Sequence, residues 1–326
     1  MVPHRKAAMP VVYGDTPSFL GGDVLNGHPI QSGLYDVIFA GVPWEGTVTW
    51  GSFTGCELAP RSIRHAAARY GGFLPEYDLN VFDYLKIGDL GDVSVNPNDP
   101  ELSMRSVLQT AYNIYKSKSI PFMLGGDHSI SPEVVRALSE NVSDEIGIIH
   151  FDSHFDNSES FGKDIYPRCG PLFRIAQIEK VRKKSIVHIG IRGPRNSPSQ
   201  LAYAKEIGAT VFTIRDIRSL GIESVIDKAL GIVKKSTKHL YVTICSDIID
   251  AAFNPGGPAD FDGLSPHELF YSLFKLGEAG MNGLDYVEVY PIQDPRSVSS
   301  HLASWAIIHA LAGLASRKKA GNRLTI

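Results

Sequence analysis

Short apolar segments alternate with helical patterns from about residue 36 to near the end of the chain, and this alternation restricts the fold more than any other feature. Strand candidates are Asp36 to Val42, Ile120 to Leu124, Ile146 to Phe151, Ser185 to Ile191, Thr210 to Ile214, Leu240 to Cys245 and Tyr286 to Val289. Helical patterns lie between them: Pro60 to Ala68, Ser103 to Lys118, Ser131 to Ser139, Pro198 to Ile207, Ile222 to Lys235, Pro266 to Ala279 and Ser299 to Ser316. A run such as Gly147-Ile148-Ile149-His150-Phe151 is nearly continuous in apolar character, the pattern of a strand buried on both faces of a parallel sheet. Repeated βαβ crossovers predict an α/β fold, a three-layer α/β/α sandwich whose mostly parallel sheet has about eight strands. One helix start is well marked. Ser265-Pro266-His267-Glu268 supplies a capping serine, proline at the first helical position and glutamate three residues on.

The chain has 326 residues and 31 glycines spread along it, with no visible linker. This predicts one domain over 36–318, an N-terminal arm or surface loop over 1–35, and a tail over 319–326. The arm is a candidate for contact with a neighbouring subunit. A net charge of -3 gives no nucleic-acid footprint, and Lys180 to Lys184 reads as a short solvated helix end. Met1 to Met9 lacks the apolar stretch of a secretory signal, and no run is read as long enough to span a bilayer. The three cysteines, Cys56, Cys169 and Cys245, are odd in number and not closely paired, so reduced thiols and a cytoplasmic setting are expected.

Two polar runs follow strand candidates. Asp152, His154 and Asp156 stand at every second position after Phe151, a spacing that aims all three to one side if the chain stays extended. Gly125-Gly126-Asp127-His128-Ser129 follows Leu124, so His128 lies at the carboxyl end of a strand, where open α/β sheets bind ligands. The paired glycines allow a tight turn before the helix opening at Ser131-Pro132-Glu133. Two imidazoles and two carboxylates converging there suit Mn, Ni, Fe or Zn. Taken alone, the Asp-x-His-x-Asp run is equally an ordinary polar loop.

These two runs, with Asp247-Ile248-Ile249-Asp250-Ala251-Ala252-Phe253-Asn254-Pro255-Gly256, Val287-Glu288-Val289-Tyr290-Pro291, Gly41-Val42-Pro43 and Pro60-Arg61-Ser62-Ile63-Arg64, resemble the ureohydrolase superfamily of arginase, agmatinase and other amidinohydrolases. The resemblance implies that His128 and Asp156 hold one divalent ion, His154 and Asp247 a second, and that Asp152 bridges them. It implies Mn or Ni as the metals, Glu288 as the partner of a small guanidine-type substrate, and a homo- or hetero-oligomer, trimeric or hexameric. Asp156 is expected to orient the attacking water as well as to ligate. The implied reaction is hydrolysis of a C–N bond to release urea and an amine, with metal ions activating water against a resonance-stabilised guanidinium. Trp44 and Trp50 either wall a cationic pocket or pack as ordinary aromatics.

Two positions depart from the superfamily pattern. Cys245 stands where a second bridging aspartate is expected, and Cys169 where a histidine credited with proton transfer is expected. A thiolate is a soft ligand suited to Ni or Zn, and a neutral thiol is a poor proton shuttle near pH 7. The alternative to an active hydrolase is therefore an impaired supporting subunit paired with an active paralogue, as in the heteromeric metformin hydrolases. Each cysteine is otherwise a small buried hydrophobe.

Overall fold

The central strands are built from residues with little affinity for water. In the computed structural model, which describes residues 16–25, 29–47, 53–294 and 296–324, every residue of the strands β2 (Val37–Gly41), β6 (Ile120–Leu124), β7 (Ile146–Phe151) and β11 (Gly283–Val287) is buried. The other strands are β1 (Asp23–Val24), β3 (Phe73–Leu74), β4 (Leu79–Asn80), β5 (Ile87–Asp92), β8 (Val181–Ile191), β9 (Thr210–Thr213) and β10 (His239–Cys245). β3 and β4 form a small antiparallel hairpin. The remaining nine form one sheet in the order β1-β5-β2-β6-β11-β10-β7-β8-β9, in which all pairs are parallel.

Both faces are covered. The helices are α1 (Ala59–Ala67), α2 (Pro100–Lys116), α3 (Ser131–Asn141), α4 (Pro171–Ile175), α5 (Pro198–Glu206), α6 (Ile214–Leu220), α7 (Ile222–Lys234), α8 (Pro266–Ala279) and α9 (Val298–Lys319). Side chains of α1 and α6 to α9 join one apolar core, and those of α2, α3 and α4 join a second. The result is the expected α/β/α sandwich, with nine strands in the sheet. The capping box at Ser265 is present, with Ser265 Oγ accepting from the Glu268 N–H at 3.3 Å and Glu268 Oε2 accepting from the Ser265 N–H at 2.8 Å.

Several local expectations are corrected. β5 is absent from the strand candidates, since Gly88, Asp89, Gly91 and Asp92 interrupt its apolar pattern, yet pairing on both sides holds it extended. Lys183 and Lys184 lie in the exposed start of β8, not at a helix end. Within the segment read as an arm, Phe19 and Leu20 are buried, and β1 adds an edge to the sheet. The Phe19 ring stacks on Phe39 at 4.3 Å, and its N–H donates to Asp89 Oδ2 at 2.7 Å. Asp89 is in turn held by Arg64, whose Nε and Nη2 both donate to it at 2.9 Å. The 22-residue α9 has the length and composition of a membrane-crossing helix, contrary to the expectation for such runs, but most of it is buried against α8 and α1.

Deleting the Phe19 ring leaves a cavity between β2 and α1. Phe19→Ala should cost about 3–5 kcal/mol, read as a lowered midpoint in urea denaturation. A loss below about 1 kcal/mol would show that this segment is not part of the core.

Candidate metal centre

Strand order places the polar runs together. β10 and β11 fill the space between β6 and β7, so four neighbouring strands end side by side. The residues following their carboxyl ends are His128 after β6, Glu288 after β11, Asp247 after β10 and Asp152 after β7, while Cys245 is the last residue of β10. This is the position at which a parallel sheet opens a crevice.

Local geometry then aims the side chains. Gly126 is required for space, since a Cβ there would lie 1.9 Å from the Trp44 carbonyl oxygen. Asp127 caps the following turn by accepting from the Ser129 N–H at 2.9 Å. After β7 the chain does not remain extended. Asp152 Oδ1 accepts from the His154 N–H at 2.6 Å, and Asp156 adopts a left-handed φ of 46°. Convergence of the three side chains therefore depends on a turn as well as on period-2 spacing.

Two sets of donors result, and Asp152 belongs to both. His128, Asp152 and Cys245 bring ligand atoms within 4.8 Å of one another, as do Asp152, His154 and Asp247. His128 Nδ1 is 3.0 Å from Asp156 Oδ2 and 3.2 Å from Asp152 Oδ2, without hydrogen-bond geometry to either. Among the described residues Asp247 Oδ2 likewise meets no partner in hydrogen-bond geometry, and it lies buried 3.0 Å from His154 Nδ1. Buried polar atoms of this kind need a partner, and a pair of divalent ions would satisfy both. The residues present therefore fit a dinuclear site, with the Cys245 thiol among the donors.

Surrounding groups orient these donors. Thr243 Oγ1 donates to Asp285 Oδ1 at 2.6 Å and lies 2.8 Å from His128 Nε2, which assigns the Nε2–H tautomer and leaves Nδ1 for a metal. His150 Nε2 lies 3.1 Å from Asp152 Oδ2, and Asp260 Oδ2 lies 3.4 Å from His154 Nε2. Without metal the charges are balanced by protons. Burial alone would strip the imidazoles, but Asp247 and Asp152 raise the pKa of His154 to about 11, and Asp152 and Asp156 hold His128 well above its ordinary value. Burial, with the nearby charge of Asp156, lifts the Cys169 thiol to about 11.

A cleft of about 410 Å³ opens onto the centre, lined by His154, Asp156, Cys169, Cys245, Asp247 and Glu288 among others. Trp44 is not among its lining residues. It is buried in the second core, its Nε1–H donating to Ser129 Oγ at 3.1 Å, which is the packing alternative. Trp50 lies outside the described residues. Glu288 has a left-handed φ of 62°, and burial raises its pKa to about 7 against the opposing charge of Arg168. Sequence reasoning did not single out Arg168, Tyr290 or Glu45. Their signal was adjacency, Arg168 preceding Cys169, Glu45 following Trp44, and Tyr290 standing in the run around Glu288.

The profile of the arginase family matches residues 35–313. The chain belongs to the arginase family. A formimidoylglutamase of Halalkalibacterium halodurans is 32% identical over 80% of this chain and 82% of its own. The solved proclavaminate amidinohydrolase of Streptomyces clavuligerus superposes with a TM-score of 0.85 at 26% identity, covering 94% of this chain and 99% of that one. A Trypanosoma cruzi formiminoglutamase, solved with Mn2+, shares the fold at a TM-score of 0.82 and 22% identity, covering 93% and 100%. Arginase-family relatives are hydrolases acting on amidino groups, and this chain is an amidinohydrolase of that family.

Because His154 titrates near 11 in the metal-free fold against 6.5 ordinarily, its paired proton stabilises fully below pH 6.5 and progressively less as pH rises towards 11. A metal must displace that proton. Metal-free protein should therefore melt lower as pH rises from 6.5 to 9, while the melting-point gain from added Mn or Ni grows over the same interval. A metal-induced gain independent of pH would contradict this account.

Proposed function

We propose that this amidinohydrolase cleaves a C–N bond in a small guanidine compound, releasing urea and an amine, at a pair of Mn or Ni ions. The reading is carried by the two donor sets that share Asp152, each with a buried atom lacking a hydrogen bond, His128 Nδ1 in one and Asp247 Oδ2 in the other. His128, Asp156 and Cys245 would hold one ion and His154 and Asp247 the other. Bound ions of this kind lower the pKa of water enough to supply a nucleophile at neutral pH. Asp152 keeps the two donor sets in register from the end of β7. Asp156, buried beside the cleft, would orient the nucleophile. Glu288 would face the guanidine group, since a carboxylate suits a planar cation with several donors. Cys169, a thiol to about pH 11, does not relay protons near neutrality. The sulfur of Cys245 shifts the donor set towards Ni relative to a site built from carboxylates and imidazoles alone.

A second reading, a supporting subunit that pairs with an active paralogue, is favoured by Cys245, by Cys169 and by the protein donors already on Glu288. Arg168 Nη1 lies 3.2 Å from Glu288 Oε2, and the Tyr290 hydroxyl donates to the same oxygen at 2.6 Å.

Elemental analysis and urea release distinguish the two. The first predicts close to two ions per chain after incubation with Mn or Ni, and urea from at least one of agmatine, guanidinobutyrate, guanidine or a biguanide. Fewer than about 0.2 ions per chain and no urea would exclude it in favour of the second, for which Cys245→Asp with Cys169→His should raise metal occupancy.

A further inference from the structure

Arg168 presents to the protein the same chemical group that the proposed function assigns to the substrate. It lies in the loop between β7 and α4, its side chain 4% exposed, and it lines the cleft together with Glu288, Asp156, Asp247 and Cys245. Nη1 is 3.2 Å from Glu288 Oε2, while Nη2 is 3.1 Å from Glu45 Oε1 and 3.7 Å from Asp127 Oδ2. Glu45 and Asp127 are themselves 4% and 0% exposed at their side chains. One guanidinium is thus enclosed by three buried carboxylates at the cleft.

Glu288 has little acceptor capacity left. Its Oε1 accepts from the His128 N–H at 2.9 Å, and its Oε2 takes both the Tyr290 hydroxyl and Arg168. A carboxylate has about four lone-pair sites, and three carry protein donors. A planar fork of N–H groups set against carboxylates is the arrangement by which any guanidinium is recognised.

We propose that Arg168 is the specificity-determining residue of this cleft, its own guanidinium filling the seat that Glu288, Glu45 and Asp127 offer to a planar cation. A guanidine compound then engages Glu288 only by displacing Arg168, and compounds that bind the rest of the cleft without needing this seat are favoured. The inference rests on the reading that Glu288 faces the guanidine group.

Arg168→Ala leaves a guanidinium-shaped space among three carboxylates. Calorimetric titration with millimolar guanidinium chloride, far below denaturing concentrations, should show one saturable site in the variant, at least 10-fold tighter than in the wild-type chain. Guanidinium should also raise the variant's melting temperature, whereas ammonium chloride at equal ionic strength should not, and the wild type should show no such gain. Arg168→Met, which keeps the packing of the stem, gives the same readout should the alanine variant fail to fold. Variants that respond to guanidinium as the wild type does would overturn the inference. The readout is binding, so urea release by the wild type together with unchanged guanidinium binding in the variants defeats this inference and leaves the proposed function standing.

Discussion

Asp152 is fully buried, and its charge has to be met from several directions at once. Its carboxylate touches His128, His150 and His154, one residue of β7 and one from each of the loops that follow β6 and β7. An isolated buried carboxylate is costly, and one met by several donors is stable. Burial would raise its pKa, but the close contacts with these three histidines outweigh it and hold the carboxyl well below the usual carboxylate range. The polar ends of β6 and β7 are therefore tied to each other, and through Asp247 to β10, by the same charge that would receive the metals.

Outside this centre the charge pattern follows the same rule. Asp285, on β11, is buried and accepts from Thr243 at 2.6 Å and Tyr241 at 2.5 Å, which fixes His128 from behind. Asp89 is met by Arg64 and by the Phe19 N–H. Each buried carboxylate thus joins segments distant in sequence, and the polar interior works as a set of clamps between strands.

The motifs that announce chemistry were legible because they are local. Gly-Gly-Asp-His-Ser and Asp-x-His-x-Asp each place a ligand directly after an apolar strand, and period-2 spacing brings Asp152 and His154 to one side. The capping box at Ser265 was readable for the same reason. What escaped reading depends on tertiary partners. β5 contains Gly and Asp that favour turns, and only its neighbours β1 and β2 make it a strand. Asp156 reaches the site through a left-handed residue that spacing does not announce. Arg168 carries no motif. Its importance arises from Glu45 and Glu288, 123 and 120 residues away in the chain.

The order of strands in the sheet has a consequence for assembly in time. β6 and β7 are made early but are not neighbours, and the two strands between them, β10 and β11, lie in the last third of the chain. A chain emerging from synthesis holds His128 and Asp152 long before it holds Cys245, Asp247 and Glu288. Such non-local pairing is slow to form because the intervening chain must first be ordered. The full donor set is consequently complete only once β10 and β11 occupy the gap between β6 and β7, and strand edges there are exposed until they do.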